Sequence, residues 1–183
     1  MLNVLKDLYN SKELAEYYTN GETNTFDVGI AVSLNDREFA FQSYTKNGEW
    51  DGIIAFMADN VFRVQTQSQY IETVKKLIGD ISVSQIANEI DENDIFGSLF
   101  RIALNRKEIV SIKLMDNTEI DFSGFVESID EDDCKIKIID EYGNYDGFGF
   151  ARISDITEMS YMCTYDQQRM KLWKINQITV NRI

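Results

Sequence analysis

The chain has 183 residues, of which 44% are hydrophobic and 12% aromatic, and it carries a net charge of −13 at pH 7. That length suits one domain or two small ones, and that apolar share supports a packed core and excludes a disordered chain. The charge excludes the basic footprint of an ordinary nucleic-acid binder and favours basic protein partners or cations.

Histidine is absent altogether, which removes the commonest general base and the commonest metal ligand together. The two cysteines, Cys134 and Cys163, lie far apart with no metal-binding or redox spacing. No phosphate-cradling glycine loop or serine-nucleophile elbow is present. The chain is therefore read as not an enzyme, with no catalytic residue, cofactor or metal ligand expected. Its opening residues, Met1-Leu-Asn-Val-Leu-Lys-Asp-Leu-Tyr9, include an acid and lack a secretion signal's apolar core. No apolar run approaches the roughly 20 residues that span a bilayer. A cytoplasmic location with no membrane partner is expected.

In chain order, a short amphipathic helix comes first, with Leu2, Val4, Leu5 and Leu8 forming its apolar stripe. Period-2 alternation then predicts strands over 14–19, 26–34, 38–46, 52–57 and 61–65. A second helix is expected near 68–78, and a final short strand over 80–86. Residues 87–94 form an acidic linker without glycine or proline. The pattern then begins again. A helix carrying Leu99, Phe100, Ile102 and Ala103, capped by Asn93 or Asp94, precedes strands over 109–115, 119–130, 134–141, 147–152 and 156–162. Another helix near 165–174 and a short strand over 177–183 complete it.

Displacing the chain against itself supports a tandem repeat. Lys12 and Glu13 fall on Lys107 and Glu108, Gly29 on Gly124, and Ser33 on Ser128. Gly48, Asp51 and Gly52 fall on Gly143, Asp146 and Gly147, with Trp50 over Tyr145. Units of 1–88 and 89–183 are expected.

The most patterned stretch runs from Val110 to Asp130. Val110, Ile112 and Leu114 alternate, Asp116-Asn117 marks a hairpin, and Ile120 and Phe122 lead to Gly124, where a bend or bulge is expected. Val110-x-Ile112-x-Leu114-x-Asp116-Asn117, followed by Gly124-x-Val126-x-x-Ile129-Asp130, resembles the first motif of the Sm-like (LSm, Hfq-type) family. The resemblance covers roughly residues 94–160. It implies a short N-terminal helix followed by a strongly bent five-stranded barrel, often assembled into rings. The expected fold class is mainly β with short helices (α+β): two tandem Sm-like or SH3-like bent five-stranded barrels, each with an N-terminal helix. Relatives that bind uridine-rich RNA carry an Asn shortly after the Asp matching Asp130, where this chain reads Glu131-Asp132-Asp133-Cys134-Lys135. The family's Arg-Gly signature is likewise replaced by Ala151-Arg152-Ile153-Ser154.

Two loops, Asn47-Gly-Glu-Trp-Asp-Gly52 and Tyr142-Gly-Asn-Tyr-Asp-Gly147, each set an aromatic residue beside Asp-Gly. They read either as aromatic platforms or as hairpin turns in which glycine supplies positive φ. Trp50, Asp51, Tyr145 and Asp146, with Arg152, are the candidate partner or RNA contacts. The acidic run Asp130-Glu-Asp-Asp133 lacks the order of a calcium loop and reads as solvated. Cys134 falls on a core strand position, and Cys163 lies near a helix start. The expectation is a non-catalytic binding or assembly module on duplicated Sm-like barrels, with a protein partner or self-association. The alternative is an RNA-binding Sm-like ring protein, disfavoured by the net charge.

Overall fold

The computed structural model describes residues 1–19, 21, 24–115 and 119–180. Its contacts fall into two compact units, Met1–Ser98 and Leu99–Ile183.

In the first unit, α1 (Leu2–Ser11) leads to β1 (Leu14–Thr19), β2 (Asp27–Leu34), β3 (Glu38–Tyr44) and β4 (Trp50–Met57). A 3₁₀ turn, Ala58–Asn60, joins β4 to β5 (Val61–Thr66), and α2 (Gln69–Ile78) follows. The strands lie in the order β5-β1-β2-β3-β4, all antiparallel. The helix α3 (Ile95–Arg106) starts in this unit and continues into the second. Asp94 caps it by accepting the Gly97 N–H at 3.1 Å.

The second unit holds β6 (Ile109–Leu114), β7 (Phe122–Ile129), β8 (Asp133–Ile139) and β9 (Tyr145–Arg152). A 3₁₀ turn, Ile153–Asp155, precedes β10 (Ile156–Tyr161) and α4 (Thr164–Val180). Here the order is β10-β6-β7-β8-β9, again antiparallel. The strands and 3₁₀ turns of the second unit all stand 95 residues after their equivalents, as Leu14 to Ile109 and Val61 to Ile156 show. The irregularities keep the same interval. Bulges fall between Ala31 and Ser33 and between Val126 and Ser128, then between Gln42 and Tyr44 and between Lys137 and Ile139. Positive φ recurs at Lys12 and Lys107, at Gln67 and Met162, and at Gly52 and Gly147.

Two expectations need correction. The fold is mixed α+β with open antiparallel sheets, not closed barrels. Among the described residues no ladder joins β4 to β5 or β9 to β10, because the three-residue turn between each pair separates them without pairing them. The bulges bend and twist each sheet but leave its edges apart. The short closing strands are also absent among the described residues, with 181–183 lying outside them. Residues 80–86 carry no regular structure, and 177–180 belong to α4. Ser82 and Ser84 bond the Gln42 side chain instead of a neighbouring strand. Helix α2 stops at Gly79, whereas α4 meets no glycine and runs on. The hairpin expected at Asp116-Asn117 lies outside the described residues.

Each sheet buries its inner face. In the first unit the rings of Tyr17, Phe39, Phe41 and Phe56 form a fully buried stack, with Tyr17 and Phe41 4.7 Å apart. At the equivalent places the second unit has Ile112, Cys134, Ile136 and Ala151, a slimmer core. Gly29 and Gly124 let neighbouring strands close in. A Cβ on Gly124 would lie 2.0 Å from the Lys137 carbonyl oxygen. The bulge expected at that glycine falls two residues later, after Val126.

The paired Asp-Gly loops are turns. Thr45 Oγ1 accepts the Asn47 and Glu49 N–H groups, and Asp140 Oδ1 accepts those of Tyr142 and Asn144. The turn glycines Gly48 and Gly143 have φ of 78° and lie against the following helix. A Cβ on Gly143 would meet the α4 backbone at Leu172 and Trp173 at 2.6 Å, while one on Gly147 would meet open space. Gly143→Ala is therefore expected to destabilise the second unit by roughly 2–3 kcal/mol, and Gly147→Ala by about 1 kcal/mol. Urea unfolding midpoints check this; equal losses would mean that the helix contact at Gly143 contributes nothing.

Candidate binding face on the second sheet

Strand β8 alternates Cys134 and Ile136, both buried, with Lys135 and Lys137, which face outward. Strand β9 is reversed relative to an ordinary half-buried strand. Gly149 and Ala151 point inward, and Phe148, Phe150 and Arg152 point out. The small inner residues have a packing cause, since a Cβ on Gly149 would lie 2.9 Å from the Phe122 ring. Register sets Phe125 opposite Lys137, Lys137 opposite Phe148, and Lys135 opposite Phe150.

The result is a row of rings interleaved with ammonium groups. Lys135 Nζ stands 4.0 Å from the Phe148 ring centroid, and Lys137 Nζ stands 4.7 Å from that of Trp173 on α4. Tyr145 meets Phe148 edge to face at 5.6 Å, as Phe125 meets Trp173 at 5.7 Å. A cavity of about 470 Å³ opens beside Lys137, floored by Phe125, Met170 and Trp173. Tyr145, Phe148 and Phe150 are 51%, 44% and 70% exposed. In the first unit the equivalent outer positions, Ala40, Gln42, Ile53 and Ala55, are all buried.

Of the sequence-predicted contacts, Tyr145 belongs to this face, and Asp146 is exposed beside it. Arg152 lies at the other end of β9, about 23 Å along the strand at 3.3 Å per residue, and pairs with Asp155 at 3.8 Å. Trp50 and Asp51 belong to the first unit, where half-buried Trp50 lies opposite Tyr44 in the ladder. The face's lysines, its two outward phenylalanines, Phe125 and Trp173 were not predicted. Their signal was in the sequence as Cys134-Lys-Ile-Lys-Ile138 and Gly147-Phe-Gly-Phe-Ala151, where the small and apolar residues share one parity.

The acidic loop closes on itself. The Asp130 carboxylate accepts the Asp132 and Asp133 N–H groups, which hold its pKa below the usual range. Among the described residues, no three acids or cysteines converge as a metal site would require. The Cys134 thiol is buried and pushed up to about 11 by that burial, and Cys163 is buried ahead of α4.

A buried carboxylate ties strand to helix in both units, from opposite sides. In the first unit Glu16 on β1 is bonded by the hydroxyls of Tyr18 and Ser68, and Ser68 also caps α2. In the second unit the acid is Asp166 on α4. It accepts from Ser111 at 2.6 Å, Ser160 at 3.0 Å and the Cys163 N–H at 3.1 Å. Desolvation outweighs those donors and raises Asp166 to about 6. A groove of about 480 Å³ passes this helix, but Asp166 is 0% exposed and both its oxygens are bonded within the fold.

No protein-family model, curated protein or solved structure matches this chain.

Two outcomes follow. Folding raises the Asp166 pKa above its ordinary value of 3.8, so this group's stabilisation is complete below that value and lost as pH rises through about 6. Against Asp166→Asn, the wild type should lose at most about 3 kcal/mol of relative stability between pH 4 and 7. Parallel pH profiles of urea midpoints would contradict this. Replacing exposed Phe148 and Phe150 together by Ser should cost under about 1 kcal/mol, against about 3–5 kcal/mol for the buried Phe41→Ala. A large loss from the double replacement would show that the rings serve the fold.

Proposed function

We propose that the chain is a non-catalytic binding module of two Sm-like units, which holds a protein partner on the outer face of β7, β8 and β9. The observation that carries this reading is a contrast at one register. Phe148 and Phe150 are 44% and 70% exposed where Ile53 and Ala55 of the first unit are 0% exposed. Large rings left exposed in a row are costly to solubility and are typical of interaction surfaces. The 95-residue recurrence of strands, bulges and positive φ supports descent of both units from one copied ancestor. A helix followed by five strands is the order that the Sm-like resemblance implies, with each unit an opened form of that barrel. The burial of both thiols and the sealing of Asp166 support a role other than catalysis.

Binding of single-stranded nucleic acid is a second reading, favoured by one observation. Rings interleaved with Lys135 and Lys137 can stack bases and neutralise phosphates. Exposed Glu127, Asp133 and Asp146 around the face, together with the net charge of −13, rank it second.

Panning a random-peptide display library on the intact chain tests the proposal, with the Phe148→Ser/Phe150→Ser chain as counter-target. Clones that need both rings are expected, and labelled oligo-uridine at low salt should show no ring-dependent binding. Ring-dependent oligonucleotide binding without ring-dependent clones would replace the first reading with the second.

A further inference from the structure

We infer that this face takes an acidic, extended segment of a partner protein, bearing two carboxylates two residues apart and a large apolar side chain beyond them. The inference rests on the protein-binding reading above and adds the chemistry of the segment.

The first unit supplies the precedent. The outer side of its β3 already holds a stretch of its own chain. The Gln42 amide donates to the Ser82 carbonyl at 2.9 Å and accepts the Ser84 N–H at 2.7 Å. One side chain thus grips the backbone of residues i and i+2, and that stretch is without regular structure. In the second unit Lys137 stands at the place of Gln42, and Lys135 at that of Ala40. A lysine donates and cannot accept, so it cannot repeat the two-sided amide grip. What it holds must bring oxygen, and preferably charge.

Neither ammonium pairs with a carboxylate among the described residues, despite the acidity of the chain. Both are held over rings instead. They stand two residues apart on one side of β8, which is about 6.6 Å. Alternate side chains of an extended peptide have that same spacing. Past Lys137 the cavity of about 470 Å³ floored by Phe125, Met170 and Trp173 has room for a large apolar side chain. Lys107 and Lys174 line it too and extend the positive field, opposed by Glu127 in the cavity and by exposed Asp133 and Asp146 beside the face. Phe148 and Phe150 then cover the segment's remaining apolar surface.

The test takes a ring-dependent clone and pans the same library on the Lys135→Gln/Lys137→Gln chain. Clones selected by the wild type should carry an acid-x-acid pattern followed by an aromatic or large aliphatic residue. Converting either acid to its amide should weaken a synthetic peptide by about tenfold or more. The peptide should also change Trp173 fluorescence in a Trp50→Phe chain. Clones that need both rings but lack the acidic pair, or that bind the two-lysine variant equally well, would overturn this inference and leave the protein-binding reading intact. Ring-dependent oligonucleotide binding with no ring-dependent clone would overturn both.

Discussion

A β-strand sends successive side chains to opposite faces, and everything distinctive about this chain follows from how the two sheets use that fact. Both bury the inner set. The stack of Tyr17, Phe39, Phe41 and Phe56 in one unit and the aliphatic set around Ile112 and Ile136 in the other are alternative fillings of one backbone plan. The outer sets diverge. Ala40 and Gln42 are small or polar and covered, with Gln42 fastened to Ser82 and Ser84. Their equivalents are lysines beside exposed phenylalanines. One backbone therefore presents a covered surface in the first unit and an exposed one in the second.

What the units share is backbone geometry more than side-chain chemistry. Bulges, positive-φ residues and turn glycines hold the same interval, because each is a constraint that few residue types can meet. Side chains are freer to change partners. The strand-to-helix tie keeps a buried carboxylate and a serine in both units but exchanges which element carries each: Glu16 with Ser68 in one, Ser111 with Asp166 in the other. A buried acid is tolerated in either place because donors surround it.

Much of the fold was legible from alternation. The strand expected over 14–19 is β1 to the residue, and the others differ by a few residues at their ends. Gly124 was readable as a constrained position, because a side chain there would strike the neighbouring strand, but the bulge itself lies after Val126. Closure into barrels was not readable, since it depends on whether distant edges meet and no local pattern encodes that. The closing strands failed for a related reason. Ile81 and Val83 have strand-like chemistry, but the Gln42 side chain supplies the hydrogen bonds, and a side-chain partner forty residues away leaves no periodic trace. The candidate face was half visible. Tyr145 was singled out for its turn, while Phe148 and Phe150 were read only as part of the strand over 147–152. Comparing Gly147-Phe-Gly-Phe-Ala151 with its equivalent Gly52-Ile-Ile-Ala-Phe56 would have set Phe150 against Ala55 and Ala151 against Phe56, the aromatic rings on opposite faces.

The most direct measurement is a crystal structure of the intact chain with a ring-dependent peptide bound. The account predicts an extended peptide lying across the outer side of β8 and β9, covering Phe148 and Phe150, with its acids at Lys135 and Lys137. A peptide bound in the groove along α4, or added as a new strand beside β9 with both rings left exposed, would contradict it.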